Sequence, residues 1–168
     1  MLQICRSGIQ EQGLKDLIND LPNNITMAEI GSYQGESALL FLNSGKINKL
    51  YAIDTWIGSI FKIAEDEFDK KLDGKNVVKL KMTMNQAIQF LPKLDMVYID
   101  GAHSYKLVKK DILASLKVIK KDGIIAGHDY SDQYKDRVVK AVNEILGTPD
   151  KIYIDTSWII WMNEKGKI

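Results

Sequence analysis

The chain of 168 residues is 45% hydrophobic and 27% charged, the make-up of one ordinary globular domain with a full core. Its 23 Lys and Arg residues against 22 Asp and Glu leave a formal net charge of +1, which offers nucleic acid or an anionic membrane no attracting field and sets both aside as partners. No apolar run approaches the ~18 residues of a membrane span, the N-terminal stretch lacks the apolar core of a signal peptide, and the lone Cys5 allows no internal disulfide, so a cytoplasmic protein is expected.

In chain order, a helix is predicted over 9–21, followed by ITMAEI (25–30), KLYAID (49–54), NVVKLKM (76–82), LDMVYID (94–100) and GIIAGHD (123–129), all β-rich and each followed by a helical pattern. After Asp100, Val108, Ile112, Leu116 and Ile119 recur at helical spacing, with Lys106, Lys109, Lys110, Lys117 and Lys120 on the other faces. Val138, Val142 and Ile145 form a later helix that Gly147 and Pro149 terminate. The last run, KIYIDTSWIIWM (151–162), has no room for a crossover helix and is expected to turn back on itself at Asp155, Thr156 and Ser157. Strands alternating with helices, and apolar enough to be covered on both faces, predict an α/β fold: a doubly wound, mostly parallel seven-stranded sheet with a C-terminal antiparallel hairpin. The expected organisation is one domain over 1–168, with a helix and lead-in (1–24), a cofactor-binding core (25–146) and the hairpin (147–168).

Ligands of open α/β sheets lie outside the carboxyl ends of the strands. Those ends read EIGSYQGES, IDTW, MTMN, IDGAHSY and GHDY, and four of them carry an acid, namely Glu29, Asp54, Asp100 and Asp129, each expected to stay solvated at the rim. One Asp is explained as a helix cap or turn residue; four on one rim, three of them beside glycines, point to a site. Gly31 and Gly35 bracket Ser32, Tyr33 and Gln34 in a strand-to-helix turn that aims backbone N–H groups at an anion. Asp54, at the end of the next strand, is placed to take the hydroxyls of a ribose, and Trp56 is either a flat cover for the ligand or core. A nicotinamide dinucleotide is disfavoured, because the third glycine of G-x-G-x-x-G is missing. The pair Tyr105 and Lys109 has the spacing of a short-chain dehydrogenase but follows the fourth strand instead of the fifth, and reads as helix surface.

EIGSYQGESA (29–38) resembles the first motif of class I S-adenosylmethionine-dependent methyltransferases of the catechol O-methyltransferase type. YAIDTW, DMVYIDGAHSY and DGIIAGHDY resemble the succeeding signatures of methyltransferase family 24, and the likeness covers about 25–146. It implies a Rossmann-like methyltransferase fold and S-adenosylmethionine as cofactor. Gly31 and Gly35 would border the methionine moiety beside Glu29 and Ser32, Tyr33 would line the pocket, and Ser37 would bind the methionine carboxylate. Asp54, with Thr55, would hold the ribose, and Thr83 and Met84 would meet the adenine, although MTMN matches the family pattern poorly.

For a hydroxyl acceptor, methyl transfer needs a base. His103, three residues after Asp100, is the candidate, with an unperturbed pKa of ~6.5; it stands where metal-dependent relatives carry a lysine. Asp100 and His128 complete the predicted catalytic set, and Asp100 also belongs to the cofactor set. In those relatives the metal ligands correspond to Asp100, His128 and Asp129, and the histidine departs from an all-oxygen set. A divalent ion, Mg²⁺ or Mn²⁺, is therefore admitted, with the borderline metals better suited to imidazole than Mg²⁺. His128 could instead cap its loop or act as an alternative base, and His103 could be an exposed residue at a helix start. The acceptor is expected to be a small-molecule or sugar hydroxyl; with one helix ahead of the first strand the pocket is expected to be open, closed by a second subunit of a homodimer or matched to a larger glycan or peptide. Two alternatives remain: a metal-dependent hydrolase using Asp100, His103, His128 and Asp129, and a non-catalytic nucleoside-binding module.

Overall fold

The computed structural model describes residues 8–162, so Cys5 lies outside the described residues. A first helix, α1 (Ile9–Asp20), leads into β1 (Ile25–Ile30), α2 (Glu36–Asn43), β2 (Ile47–Asp54), α3 (Ser59–Lys71), β3 (Val77–Lys81) and the short α4 (Met84–Ala87). β4 (Leu94–Ile99), α5 (Tyr105–Val118) and β5 (Ile119–Gly127) follow, then a 3-10 turn (Asp132–Tyr134), a π turn (Lys135–Val139), α6 (Lys140–Ile145), β6 (Lys151–Ile152) and β7 (Trp158–Trp161). The sheet order is β3-β2-β1-β4-β5-β7-β6. The first five strands are parallel, and β7 runs antiparallel to both β5 and β6. The expected α/β sheet with its C-terminal hairpin is the observed one.

Successive strand residues point to opposite faces, and the core divides accordingly. Met27, Leu50, Met96, Tyr98 and Ile124 belong to one apolar cluster with Leu14 and Leu17 of α1, Phe41 of α2 and Phe68 of α3. Their neighbours Ala28, Ile53, Val97, Ile99 and Ile125 belong to a second, with Met84 and Ala87 of α4, Val108 and Ile112 of α5, and Val142 of α6. Helices α1, α2 and α3 therefore cover one face and α4, α5 and α6 the other.

Ile119 departs from the sequence expectation. It is the first residue of β5, paired with Leu94, and does not close α5. A methyl group on Gly123 would come within 2.7 Å of the Ile119 side chain, so the bare glycine lets the chain fold back over Ile119 while residues 120–122 stay exposed. The hairpin turn is as expected, with Thr156 in the left-handed region (φ 70) and Ser157 N–H and Oγ bound to the buried Asp155 carboxylate at 3.0 and 2.8 Å.

Candidate active site

The strand order reverses direction between β1 and β4, and beyond their carboxyl ends lies a cavity of ≈ 850 Å³, within the size range of small-molecule sites. Gly31, Ser32 and Tyr33 line it from the β1–α2 loop and Ser37 from the start of α2, Asp54 and Thr55 from the end of β2, Met82, Thr83 and Met84 from the β3–α4 junction, and Asp100 and His103 from the loop after β4. His128 and Asp129 enter from β5.

Gly31 is required by packing: at φ 91, a Cβ there would lie 2.3 Å from the Asp100 carbonyl oxygen and 2.5 Å from Gly101 Cα. The β1 and β4 loops can touch only because this side chain is missing. Gly35 precedes α2 in the left-handed conformation (φ 77), facing Phe68, and does not itself line the cavity.

Asp54 organises the backbone around it. One carboxylate oxygen accepts the Tyr33 N–H at 3.0 Å and the other the Trp56 N–H at 3.0 Å. Tyr33 (φ 41) and Trp56 (φ 43) both sit in the left-handed region, so this carboxylate holds two strained turns that non-glycine residues avoid when free. Each oxygen retains a lone pair for a ligand hydroxyl.

Two expected cofactor contacts are corrected. Trp56 is core: 2% exposed, edge-on to Phe68 with ring centroids 5.2 Å apart, its indole N–H donated to the Tyr33 carbonyl at 2.9 Å. Glu29 precedes the strand end by one residue, so the pleat turns it under the helix-covered face, where it is 0% exposed and off the cavity wall, not solvated at the rim. Thr83 lines the cavity, but its N–H and hydroxyl both go to Gln86 Oε1, at 2.9 and 2.8 Å, capping α4.

The acidic and imidazole groups of β4 and β5 converge. His103 Nε2 lies 2.5 Å from Asp129 Oδ2, and His128 Nδ1 lies 3.2 Å from the other Asp129 oxygen and 3.9 Å from Asp100. Asp129 is itself in the left-handed region (φ 63). The Asp129 hydrogen bond raises the His103 pKa above its ordinary value, against an opposing effect of partial burial. For Asp129, burial pulls the carboxyl upward, but the hydrogen bonds and charges of His103 and His128 prevail and hold it well below the usual carboxylate range. Asp100, His103 and Asp129 present donor atoms within 4.8 Å of one another, a grouping with metal-binding spacing. His128, expected in that set, keeps its Nδ1 toward Asp129 and Asp100, while its Nε2 lies 3.8 Å from the buried Asp155.

Four wall residues escaped the sequence reading. Gln10 of α1, Leu107 and Asp111 of α5, and Tyr134 after β5 all line the cavity. Tyr134 lies 5.3 Å from the His103 ring. Asp111 alone left a trace, as an acid between the buried Val108 and Ile112. Phe61 of α3 also lines the cavity and meets Tyr33 edge-on at 6.0 Å. Tyr105 and Lys109, the dehydrogenase-like pair, are bound instead to Glu144 of α6, Lys109 at 2.6 Å. Among the described residues, no helix is long and apolar enough to cross a membrane.

Residues 28–130 match the family model of a methyltransferase domain of family 24. An uncharacterised protein of Acanthamoeba polyphaga mimivirus is 31% identical over 143 residues, 79% of this chain; the chain spans 65% of that curated relative's length. Precorrin-6y C5,15-methyltransferase from Geobacter metallireducens superposes with a TM-score of 0.68 at 15% identity, over 96% of this chain and 92% of that one. The O-methyltransferase TomG from Streptomyces achromogenes, involved in tomaymycin synthesis and solved in complex with S-adenosylmethionine, gives 0.64 at 15% identity, over 92% and 80%. At such identities the solved structures speak for the fold, and the family match carries the class. The chain belongs to the family-24 methyltransferase domains, which depend on S-adenosylmethionine and share the class I fold.

Proposed function

We propose that this protein transfers the methyl group of S-adenosylmethionine to a hydroxyl of a small molecule or sugar, with His103 as the base. The observation that carries the choice of base is the His103–Asp129 pair at the cavity. Asp129 engages Nε2, which leaves Nδ1 as the proton acceptor, and it raises the basicity of the ring. When His103 takes the acceptor's proton, the imidazolium charge is offset by the same carboxylate, as in the acid–imidazole pairs of hydrolytic triads.

The residues fit the cofactor. Ser32 Oγ is buried against the cavity with no hydrogen-bond partner among the described residues, a polar atom that a ligand would satisfy. The start of α2, which Gly35 leaves without a side-chain cap, together with Ser37 suits a carboxylate. Asp54 would hold the ribose and Met82 and Met84 would flank the base. S-adenosylmethionine, when bound, supplies a methyl group made electrophilic by its sulfonium. Titration calorimetry with S-adenosylhomocysteine tests the cofactor: binding is expected, with a loss of about tenfold or more in Asp54→Ala, each ~1.4 kcal/mol being a factor of ten. No heat of binding to the wild-type protein would overturn the proposal.

The grouping of Asp100, His103 and Asp129 favours a second reading in which these three hold a divalent ion of the Mn²⁺ type. Such an ion would lower the pKa of the acceptor hydroxyl, and His103 would be a ligand instead of the base. Activity that chelator abolishes and Mn²⁺ restores would select it.

A further inference from the structure

None of the described residues of the C-terminal hairpin lines the cavity, yet the hairpin grips the loop after β5 at three points. The Thr156 carbonyl accepts the Tyr130 N–H at 3.0 Å, and the Trp158 indole N–H is donated to the His128 carbonyl at 3.2 Å. Both chain neighbours of Asp129 are thereby fastened to the hairpin. The third point joins side chains: Asp155 Oδ2 faces His128 Nε2 at 3.8 Å.

The turn by itself does not call for a charge there. Asp155 Oδ1 accepts the Ser157 N–H at 3.0 Å and Oδ2 the Ser157 hydroxyl at 2.8 Å, a turn that asparagine closes equally well. Aspartate instead brings a carboxylate into a side-chain position that is 0% exposed, and a buried charge is tolerated where it is paired. The His128 imidazole, itself mostly buried, is the partner that Oδ2 faces. The fold makes room for this acid: a Cβ on Gly13 of α1 would lie 2.1 Å from Asp155 Oδ1.

From His128 the contacts run on to the cavity. His128 Nδ1 lies 3.2 Å from Asp129 Oδ1, and His103 Nε2 lies 2.5 Å from Asp129 Oδ2, so the two carboxylate oxygens are divided between two rings. An imidazole is flat and rigid, and what holds one ring nitrogen settles how the other is presented. We propose that Asp155 is a positioning residue of the active site: by holding the His128 ring it fixes the Asp129 carboxylate, and with it the orientation of the His103 imidazole. The proposal rests on the reading of this cavity as the site of methyl transfer, and it extends that site to a hairpin outside the cavity wall. Asp155 acts only through His128.

The chain has two histidines, so ring-¹⁵N-labelled histidine in the full chain reports on these two rings alone by nuclear magnetic resonance. Asp155→Asn keeps the turn and loses the charge. The ring signals of His128 are expected to shift, and those of His103 to shift with them, while affinity for S-adenosylhomocysteine stays within about twofold. Ser157→Ala is the control: it removes the hydroxyl bond but leaves the carboxylate facing His128, so it should lower the melting temperature and leave the His103 signals in place. If Asp155→Asn does not fold, Asp155→Ser, whose hydroxyl closes the same kind of turn, is read in its place. His103 signals that stay put in the Asp155 variant, or that move as far in Ser157→Ala, overturn the proposal and reduce Asp155 to a turn former. Absence of S-adenosylhomocysteine binding to wild type overturns the methyl-transfer reading instead, whatever the ring signals do.

Discussion

The two halves of the cavity are built by different means. On the β1–β2 side, geometry is fixed by backbone: Gly31 lets two loops touch, and Asp54 fastens two left-handed turns through main-chain N–H groups. On the β4–β5 side it is fixed by ionisation: His103, His128, Asp100 and Asp129 hold one another through side chains, and the His103 side chain is 45% exposed. A rigid frame suits a ligand that never changes, and a titratable cluster with one exposed imidazole suits an acceptor that must lose a proton. Substitutions in the first half should therefore damage binding or folding, and those in the second should damage turnover.

The largest effect is expected from Gly31→Ala. Its methyl would meet backbone, which cannot move aside as a flexible side chain could, in a conformation that disfavours alanine. A loss of about 2–4 kcal/mol in urea unfolding is expected, with S-adenosylhomocysteine binding lost alongside. Next is His103→Ala, which should lower kcat by about 10²–10⁴-fold while leaving S-adenosylhomocysteine affinity within about twofold; a matching loss of affinity would blur the division between the halves.

A subtler change sharpens it. Asp129 raises the His103 pKa, so the rate should rise with pH through a midpoint above the ordinary imidazole value. In Asp129→Asn that midpoint should move down, detected in a pH profile of kcat/KM. The same pair affects stability with a definite sign. His103, whose folded pKa is raised, contributes fully below its unfolded value of 6.5, and the contribution is lost as pH rises through the folded pKa. Asp129, whose folded pKa is depressed, contributes above its unfolded value of 3.8, and that is lost as pH falls. The smallest effect is Tyr105→Phe. It removes one partner of a surface cluster, worth about 0–1 kcal/mol, and should leave methyl transfer unchanged; loss of turnover would return Tyr105 to the catalytic machinery.

Much of this was legible in the chain. Apolar runs alternating with helical periodicity give the parallel sheet directly, because a strand covered on both faces has to be apolar throughout. EIGSYQGES and the acid of IDTW mark loops that line the cavity, because left-handed turns and close backbone contacts restrict residue choice locally. Trp56 and Glu29 misled for a shared reason: adjacency to a site residue says nothing of which way a side chain points. Trp56 turns into the core against Phe68, and the pleat carries Glu29 beneath the sheet.

By itself, then, the sequence determined whatever depends on local backbone chemistry: the α/β alternation, the hairpin at Asp155 to Ser157, the glycine turn and the acid that follows it. Tertiary structure decided what depends on distance between elements. It paired His103 with Asp129 across two strands, turned His128 toward Asp155, spent Thr83 on capping α4, and brought Asp111 to the wall of the cavity. The physical reason is that a hydrogen bond or a pKa shift is set by partners within a few ångströms, and in a parallel sheet those partners come from segments joined only by long crossovers.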